Sequence, residues 1–346
     1  METRVCRLHG QKDLHVETLP LAAPEAGYVL VAIGAGGICG SDLHYYQDGG
    51  FGPIRVREPI ILGHEAAGTI VELGPDVTGL AVGDRVAISP SHPCGDCKYC
   101  DQGLPNHCLN MRFLGSAMRM PHENGLFRDR VAVKAGQCFK VAEGVSIGEA
   151  ACSEPLSVCL HARSLAGDLA GRKVLVTGAG PIGALCTALA AEAGASEIVV
   201  TDLQDVPLEV ARRMGATRTI NVARDGDQLG DYTADKGYFD VCFECTAAAP
   251  AIRSAIETLH PLGTLVQVGV AGDTTVPLNL IVSKEIALKG THRFHPEFAE
   301  AVEMINRGAV DVRPIITQTY PLEDALAAFE IAGDRTASVK VQLAFA

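Results

Sequence analysis

Between Gly36 and Asp48 the chain reads GGICGSDLHYYQD, which sets a thiol (Cys39), a hydroxyl two residues on (Ser41) and an imidazole five residues on (His44) in one short segment. A thiolate is a soft metal ligand, and a hydroxyl followed by an imidazole makes a route for a proton. Zinc acidifies a bound oxygen and the proton must then leave, so the set suits deprotonation of an alcohol. A cysteine beside glycines is otherwise an ordinary tight-turn residue, so further ligands are required. His64 and Glu65, in the sequence GHE, supply an imidazole and a carboxylate side by side, and with Cys39 they make three accepted zinc ligand types. Glu154 is one more candidate. It lies among small and apolar residues in ACSEPLSVCLHA, where an acid is costly to bury unless it is paired or metal-bound. Alternatively it is a helix N-terminal acid, with Pro155 in the first turn and the helix dipole favouring the carboxylate.

Cys94, Cys97, Cys100 and Cys108 form the most specific local pattern, two overlapping CxxC units and a fourth thiol after seven more residues. That spacing turns successive sulfurs toward one ion, and four thiolates close a tetrahedron with no open position. The pattern predicts a structural site that pins a loop.

From residue 172 the sequence RKVLVTGAGPIGALCTALAAEAGASEIVVTD predicts strand, glycine turn, helix and strand. Gly178, Gly180 and Gly183 make GxGxxG directly after an apolar strand, and Asp202 follows Gly183 by nineteen residues. Such glycines let backbone amides approach a pyrophosphate, and the acid accepts from both ribose hydroxyls. A carboxylate there repels a 2′-phosphate and favours NAD over NADP, although Arg212 and Arg213 on the next expected helix leave NADP open.

The elements around these motifs differ in character. Residues 1 to about 33 alternate apolar and polar in short runs and predict antiparallel strands with loops that carry function. Beyond 172 the strands are near-continuous apolar runs alternating with helices, as expected of a parallel sheet covered on both faces; VSKEIALKGT is expected to give its last strand. Helices at PEFAEAVEMINRG and LEDALAAFEIAGD and a strand at SVKVQLAF complete the chain. With 346 residues, 47% hydrophobic and 20% charged, the protein is expected to be globular with two domains. A net charge of -12 with no basic run argues against nucleic-acid or membrane-surface partners. No signal peptide or membrane span is expected, and the cytoplasm is the expected location. Of the twelve cysteines, the clustered four are then read as metal ligands rather than disulfides.

With CGSDLH, GHE, the cysteine cluster, EPLSV and GAGPIG in this order, the chain resembles the zinc-dependent medium-chain dehydrogenases along essentially its full length. The glutamate of EPLSV resembles the polyol (sorbitol) dehydrogenase branch, and PSHPCGDCKYC, MRFLGSAM, KGTHRFHPEF and AGDRTASVKVQL are similar to bacterial sugar-acid 5-dehydrogenases within it. The resemblance implies an α/β chain with a GroES-like β-rich catalytic domain (1–150 and 291–346) around a Rossmann domain (151–290). It implies a catalytic zinc on Cys39, His64 and Glu65, with Glu154 a direct ligand or a partner through water, and a structural zinc on the four clustered cysteines. Ser41 and His44 would relay the substrate proton. Gly178, Gly180, Pro181, Ile182, Gly183, Asp202, Val268 and Val270 would hold the dinucleotide. A sugar acid needs a cation for its carboxylate, for which Arg112 and Arg293 are the candidates; Tyr45, Phe113 and Phe294 would wall the pocket, unless they are core. A homo-oligomer, tetramer or dimer, is implied too. A neutral-polyol dehydrogenase is the near alternative, a threonine dehydrogenase-like oxidation a further one, and a non-catalytic dinucleotide-binding protein the distant one.

Overall fold

The computed structural model describes residues 1–270 and 272–345. Tyr28–Gly37 is the spine of the N-terminal sheet, and its Val29, Leu30, Val31 and Ile33 are buried, as suits branched side chains on a pleated surface. It pairs antiparallel with Glu65–Leu73, which sets Gly37 opposite Glu65. Two strands share its other edge: Arg130–Lys134 along residues 28–32, and Lys340–Ala344 along residues 35–37. Ile316–Pro321 lies outside Lys340–Ala344, while Arg85–Ile88 and Cys138–Lys140 extend the opposite side. Strands from the two ends of the sequence thus form one seven-stranded sheet.

The second large sheet has six parallel strands in the order Arg218–Asn221, Glu197–Asp202, Lys173–Thr177, Phe239–Glu244, Leu259–Gln267, Ala287–Gly290. Strand order reverses between Lys173–Thr177 and Phe239–Glu244, and that switch point opens a crevice at the carboxyl ends. Both faces are covered. Val174 and Val176 pack into one apolar core with the helices Ser153–Ala166 and Pro181–Glu192, whereas Leu175 points into another with Ala249–Thr258. This explains why the strands read as unbroken apolar runs.

The segment expected to give the last strand divides. Leu278–Lys284 is a helix, closed by Glu285 in the left-handed region (φ 52), and only Ala287–Gly290 is extended. Lys284 explains the preference: its Nζ donates to the carbonyls of Ile256, Glu257 and Leu259 at 2.8–3.1 Å, capping the end of the neighbouring helix. Among the described residues no helix is long and apolar enough to cross a membrane.

Candidate active site and metal centres

Cys39 follows the Tyr28–Gly37 strand and is the N-cap of the helix Gly40–Asp48. Asp42, fully buried in that helix's first turn, accepts from the backbone N–H of Cys39 at 3.0 Å and of Gly63 at 3.1 Å. It therefore ties the cysteine to the loop that carries His64, and its Oδ1 lies 3.7 Å from His64 Nδ1. Burial opposes a charge on His64, but Asp42 and Cys39 hold the imidazole well above its ordinary range. The sequence reading missed Asp42, although an acid at the third helical position after a cap residue is a recognisable signal.

The ligand atoms of Cys39, His64 and Glu65 all lie within 4.8 Å of one another. Ligands of a tetrahedral zinc stand roughly 3.5 Å apart, so this mixed sulfur, nitrogen and oxygen set fits the ion after small adjustments. Glu65 has a second partner. Lys340 Nζ sits 2.8 and 2.7 Å from its two carboxylate oxygens and 3.2 Å from the Ile38 carbonyl. Burial opposes the ammonium, yet Glu65 and Cys39 hold its pKa above the ordinary lysine value. The pair meets across the strand that separates them because that strand has a glycine there: a Cβ on Gly37 would overlap the Glu65 carboxylate. Lys340 was also missed from sequence.

Glu154 is buried in the first turn of the helix Ser153–Ala166, followed by Pro155, so the two sequence alternatives describe one position. It does not belong to the converging trio. Burial pushes its carboxyl up to about 7, with His64 acting the other way. Ser41 is half-buried and His44 exposed, three residues apart on one helical face; His44 Nδ1 lies 2.9 Å from Asp48 and its ring stacks on Phe51.

The expected substrate residues separate. Arg293, half-buried with φ 56, places its guanidinium 4.5 Å from the centre of the Phe113 ring, and Phe113 lies 5.6 Å from the His64 ring. Among the described residues Arg293 has no ion-pair partner, although Glu154 influences its charge. Arg112 is exposed and paired with Glu123 instead. Tyr45 is buried with its hydroxyl accepting from the Ala117 N–H at 3.2 Å, and Phe294 is core, packed with Phe298 and Ala87.

The second cluster is compact. Cys97 Sγ lies 3.6 Å from Cys100 Sγ and 4.0 Å from Cys108 Sγ, and Cys108 Sγ lies 3.3 Å from Cys94 Sγ. Backbone N–H groups of Cys94, Leu109 and Asn110 point at these sulfurs at 3.2–3.4 Å. Backbone donors from Cys100 and Leu109 pull the Cys97 thiol down to about 6, favouring the thiolate that binds metal. All twelve cysteines are free of disulfides.

At the crevice, Gly183 packs so closely on the glycine turn that a Cβ would overlap the Gly178 carbonyl, whereas a Cβ on Gly180 would meet open space. Asp202 ends its strand facing this turn and accepts from the N–H of Ala179 at 2.8 Å and of Gln204 at 2.9 Å. That arrangement suits a pyrophosphate at the helix start and a ribose at the acid. Val268 follows the Leu259–Gln267 strand, and Val270 is exposed.

A sulfur–imidazole–carboxylate trio in a GroES-like sheet beside a dinucleotide crevice defines a zinc-dependent dehydrogenase, and the chain belongs to the medium-chain zinc polyol dehydrogenase family. Residues 25–143 match the alcohol dehydrogenase GroES-like domain and residues 181–307 the zinc-binding dehydrogenase domain. The chain is 38% identical to L-idonate 5-dehydrogenase (NAD(P)(+)) of Escherichia coli, covering 100% of this chain and 99% of that one, and the crystal structure of that enzyme superposes with a TM-score of 0.95. It is 36% identical to sorbitol dehydrogenase of Bacillus subtilis, covering 93% of this chain and 91% of the relative. A putative zinc-binding dehydrogenase from Sinorhizobium meliloti bound to NADP is 28% identical, with a TM-score of 0.91 and 99% of both chains covered.

Proposed function

We propose that this dehydrogenase oxidises the C5 hydroxyl of a sugar acid, L-idonate to 5-keto-D-gluconate, reversibly and with NAD or NADP. The observation that favours a carboxylate-bearing substrate is Arg293, a half-buried guanidinium stacked on Phe113 beside His64 that has no ion-pair partner among the described residues. A substrate carboxylate matches that vacancy in a planar, two-pronged way. The full-length similarity to L-idonate 5-dehydrogenase supports the same reading.

Cys39, His64 and Glu65 would hold the catalytic zinc, with Glu154 as a direct or water-mediated partner, and Cys94, Cys97, Cys100 and Cys108 a second, structural zinc. When bound, zinc supplies the Lewis acidity that lowers the pKa of a substrate hydroxyl, and the nicotinamide supplies the hydride acceptor. Ser41 takes the hydroxyl proton and hands it along the helix face to His44, whose exposed ring delivers it to solvent. Asp42 keeps the His64 ring oriented through this exchange. Asp202 receives the adenosine ribose and favours NAD over NADP. Phe113 excludes water around the reacting carbon.

Residues 1–150 with 291–346 make the catalytic domain and 151–290 the dinucleotide domain. The chain would assemble as a homo-oligomer through the outer edge of the parallel sheet, where Leu278, Val282 and Leu288 are 65%, 76% and 47% exposed. Twelve unpaired cysteines suit a reducing compartment, the cytoplasm.

Initial rates of reduced-nicotinamide formation with L-idonate, sorbitol, xylitol and L-threonine test the proposal. Preference for L-idonate is expected. Preference for a neutral polyol would move the enzyme to the sorbitol side of the family and make Arg293 a structural residue.

A further inference from the structure

Glu244 is a fully buried carboxylate at the carboxyl end of Phe239–Glu244, the strand on the far side of the switch point. Five donors converge on it. The Thr177 hydroxyl (3.2 Å), the Thr246 N–H (2.9 Å) and the Thr246 hydroxyl reach Oε1; the Ala247 N–H (2.8 Å) and the Gln267 amide (2.5 Å) reach Oε2. Those donors come from the two strands that flank Phe239–Glu244 and from the turn that follows Glu244. The turn carries Ala247 at φ 59, a left-handed conformation that a non-glycine residue keeps only when its surroundings hold it. The same turn touches the phosphate loop, since a Cβ on Gly178 would meet the Thr246 methyl at 2.7 Å. The backbone carbonyl of Glu244 adds bonds from the N–H groups of Val268 and Gly269 at 2.8 Å.

All five donors are neutral. Among the described residues Glu244 has no ion-pair partner. A buried negative charge balanced only by dipoles keeps its field, and the second mononucleotide half of this sheet, Phe239–Glu244 to Ala287–Gly290, is where the nicotinamide end of a dinucleotide falls. Oxidised nicotinamide carries one more positive charge than the reduced form. We propose that Glu244 is a positioning residue of the dinucleotide crevice that holds the Thr246–Ala247 turn and, through its unpaired charge, favours binding of oxidised over reduced nicotinamide. This rests on the dinucleotide reading given above.

The test is the ratio of dissociation constants for NAD and NADH, measured by equilibrium titration of the zinc-loaded enzyme. A unit charge acting over about 10 Å at an effective dielectric of about 20 shifts such an equilibrium roughly tenfold. In Glu244→Gln the constant for NAD is expected to rise roughly tenfold more than that for NADH, whereas Glu244→Asp, which keeps the charge, weakens both equally. Equal weakening in Glu244→Gln overturns the charge effect and leaves a structural residue. Wild-type protein that binds neither nucleotide removes the dinucleotide reading and the proposal with it. Where Glu244→Gln fails to fold, Gln267→Lys sets a cation against the same carboxylate and is expected to shift the ratio in the same direction; an unchanged ratio there overturns the proposal.

Discussion

Lys340 grips both carboxylate oxygens of Glu65, at 2.7 and 2.8 Å, with each side chain 2% exposed. A cation from the last strand is therefore packed against the candidate ligand trio that the first hundred residues build. Removing one partner of a buried pair leaves an uncompensated charge, at a cost of about 3–5 kcal/mol. Lys340→Met is expected to lose about that much stability in chemical denaturation of the zinc-free protein. The double variant Lys340→Met, Glu65→Gln should recover part of the stability. Equal stability of Lys340→Met and wild type would show that the pair does not hold this corner together.

Replacing Ser41 by alanine is expected to lower kcat about 10²–10⁴-fold, the usual worth of a positioned proton-transfer group, with zinc content unchanged. His44→Ala should cost less, because its ring is exposed and water can take its place. A Ser41→Ala enzyme with wild-type turnover would remove the relay.

For the four-cysteine cluster, two zinc ions are expected per wild-type chain under the proposed function, and Cys100→Ser should remove one of them and expose residues 94–113 to protease. Closed four-thiolate sites contribute folding energy rather than chemistry. Loss of both ions in this variant would mean that the two sites are not independent.

Asp202→Ala is expected to raise the NADP-to-NAD ratio of kcat/KM at least about tenfold, by removing both the ribose acceptor and the repulsion of a 2′-phosphate. Because Asp202 also accepts from Ala179 and Gln204, kcat/KM with NAD should fall as well. Unchanged selectivity would assign discrimination to Arg212 or Arg213.

Acid stability should depend on Glu297. Burial alone would raise its carboxyl, but the His161 ring at 2.8 Å and the His295 N–H hold it down to about 2. A depressed carboxylate contributes stability above its unfolded value, near 4.5, and loses it as pH falls through the folded one. Denaturation midpoints for Glu297→Gln should therefore lie below wild type at pH 7 and converge with it as pH drops from about 4.5 toward 2. A gap that stays constant over that range would exclude this carboxylate as its source.

What could be read from the chain alone was what lies close together along it. Cys39, Ser41 and His44 share one helix and its cap, His64 adjoins Glu65, and the clustered cysteines and the glycine turn are each a single local signal. Lys340 was illegible because its partner is 275 residues away and the two meet only when the sheet closes across Gly37. Glu244 was hidden for a different reason: in FDVCFECT it reads as one polar residue ending an apolar strand, and its donors come from three separate elements. Arg112 and Arg293 looked equivalent in sequence. The fold separates them, since Arg112 is paired with Glu123 while Arg293, among the described residues, has no ion-pair partner and feels Glu154 only at a distance.

The insertion of Lys340–Ala344 beside Tyr28–Gly37 also has a consequence for biosynthesis. During translation the inner edge of the N-terminal sheet at residues 35–37 stays open until the final strand leaves the ribosome, after the whole parallel-sheet unit has had time to fold. An open strand edge is a template for wrong partners, and closing it late is slow because the loop is long. In that interval metal delivered early would meet Cys39, His64 and Glu65 before their lysine had arrived.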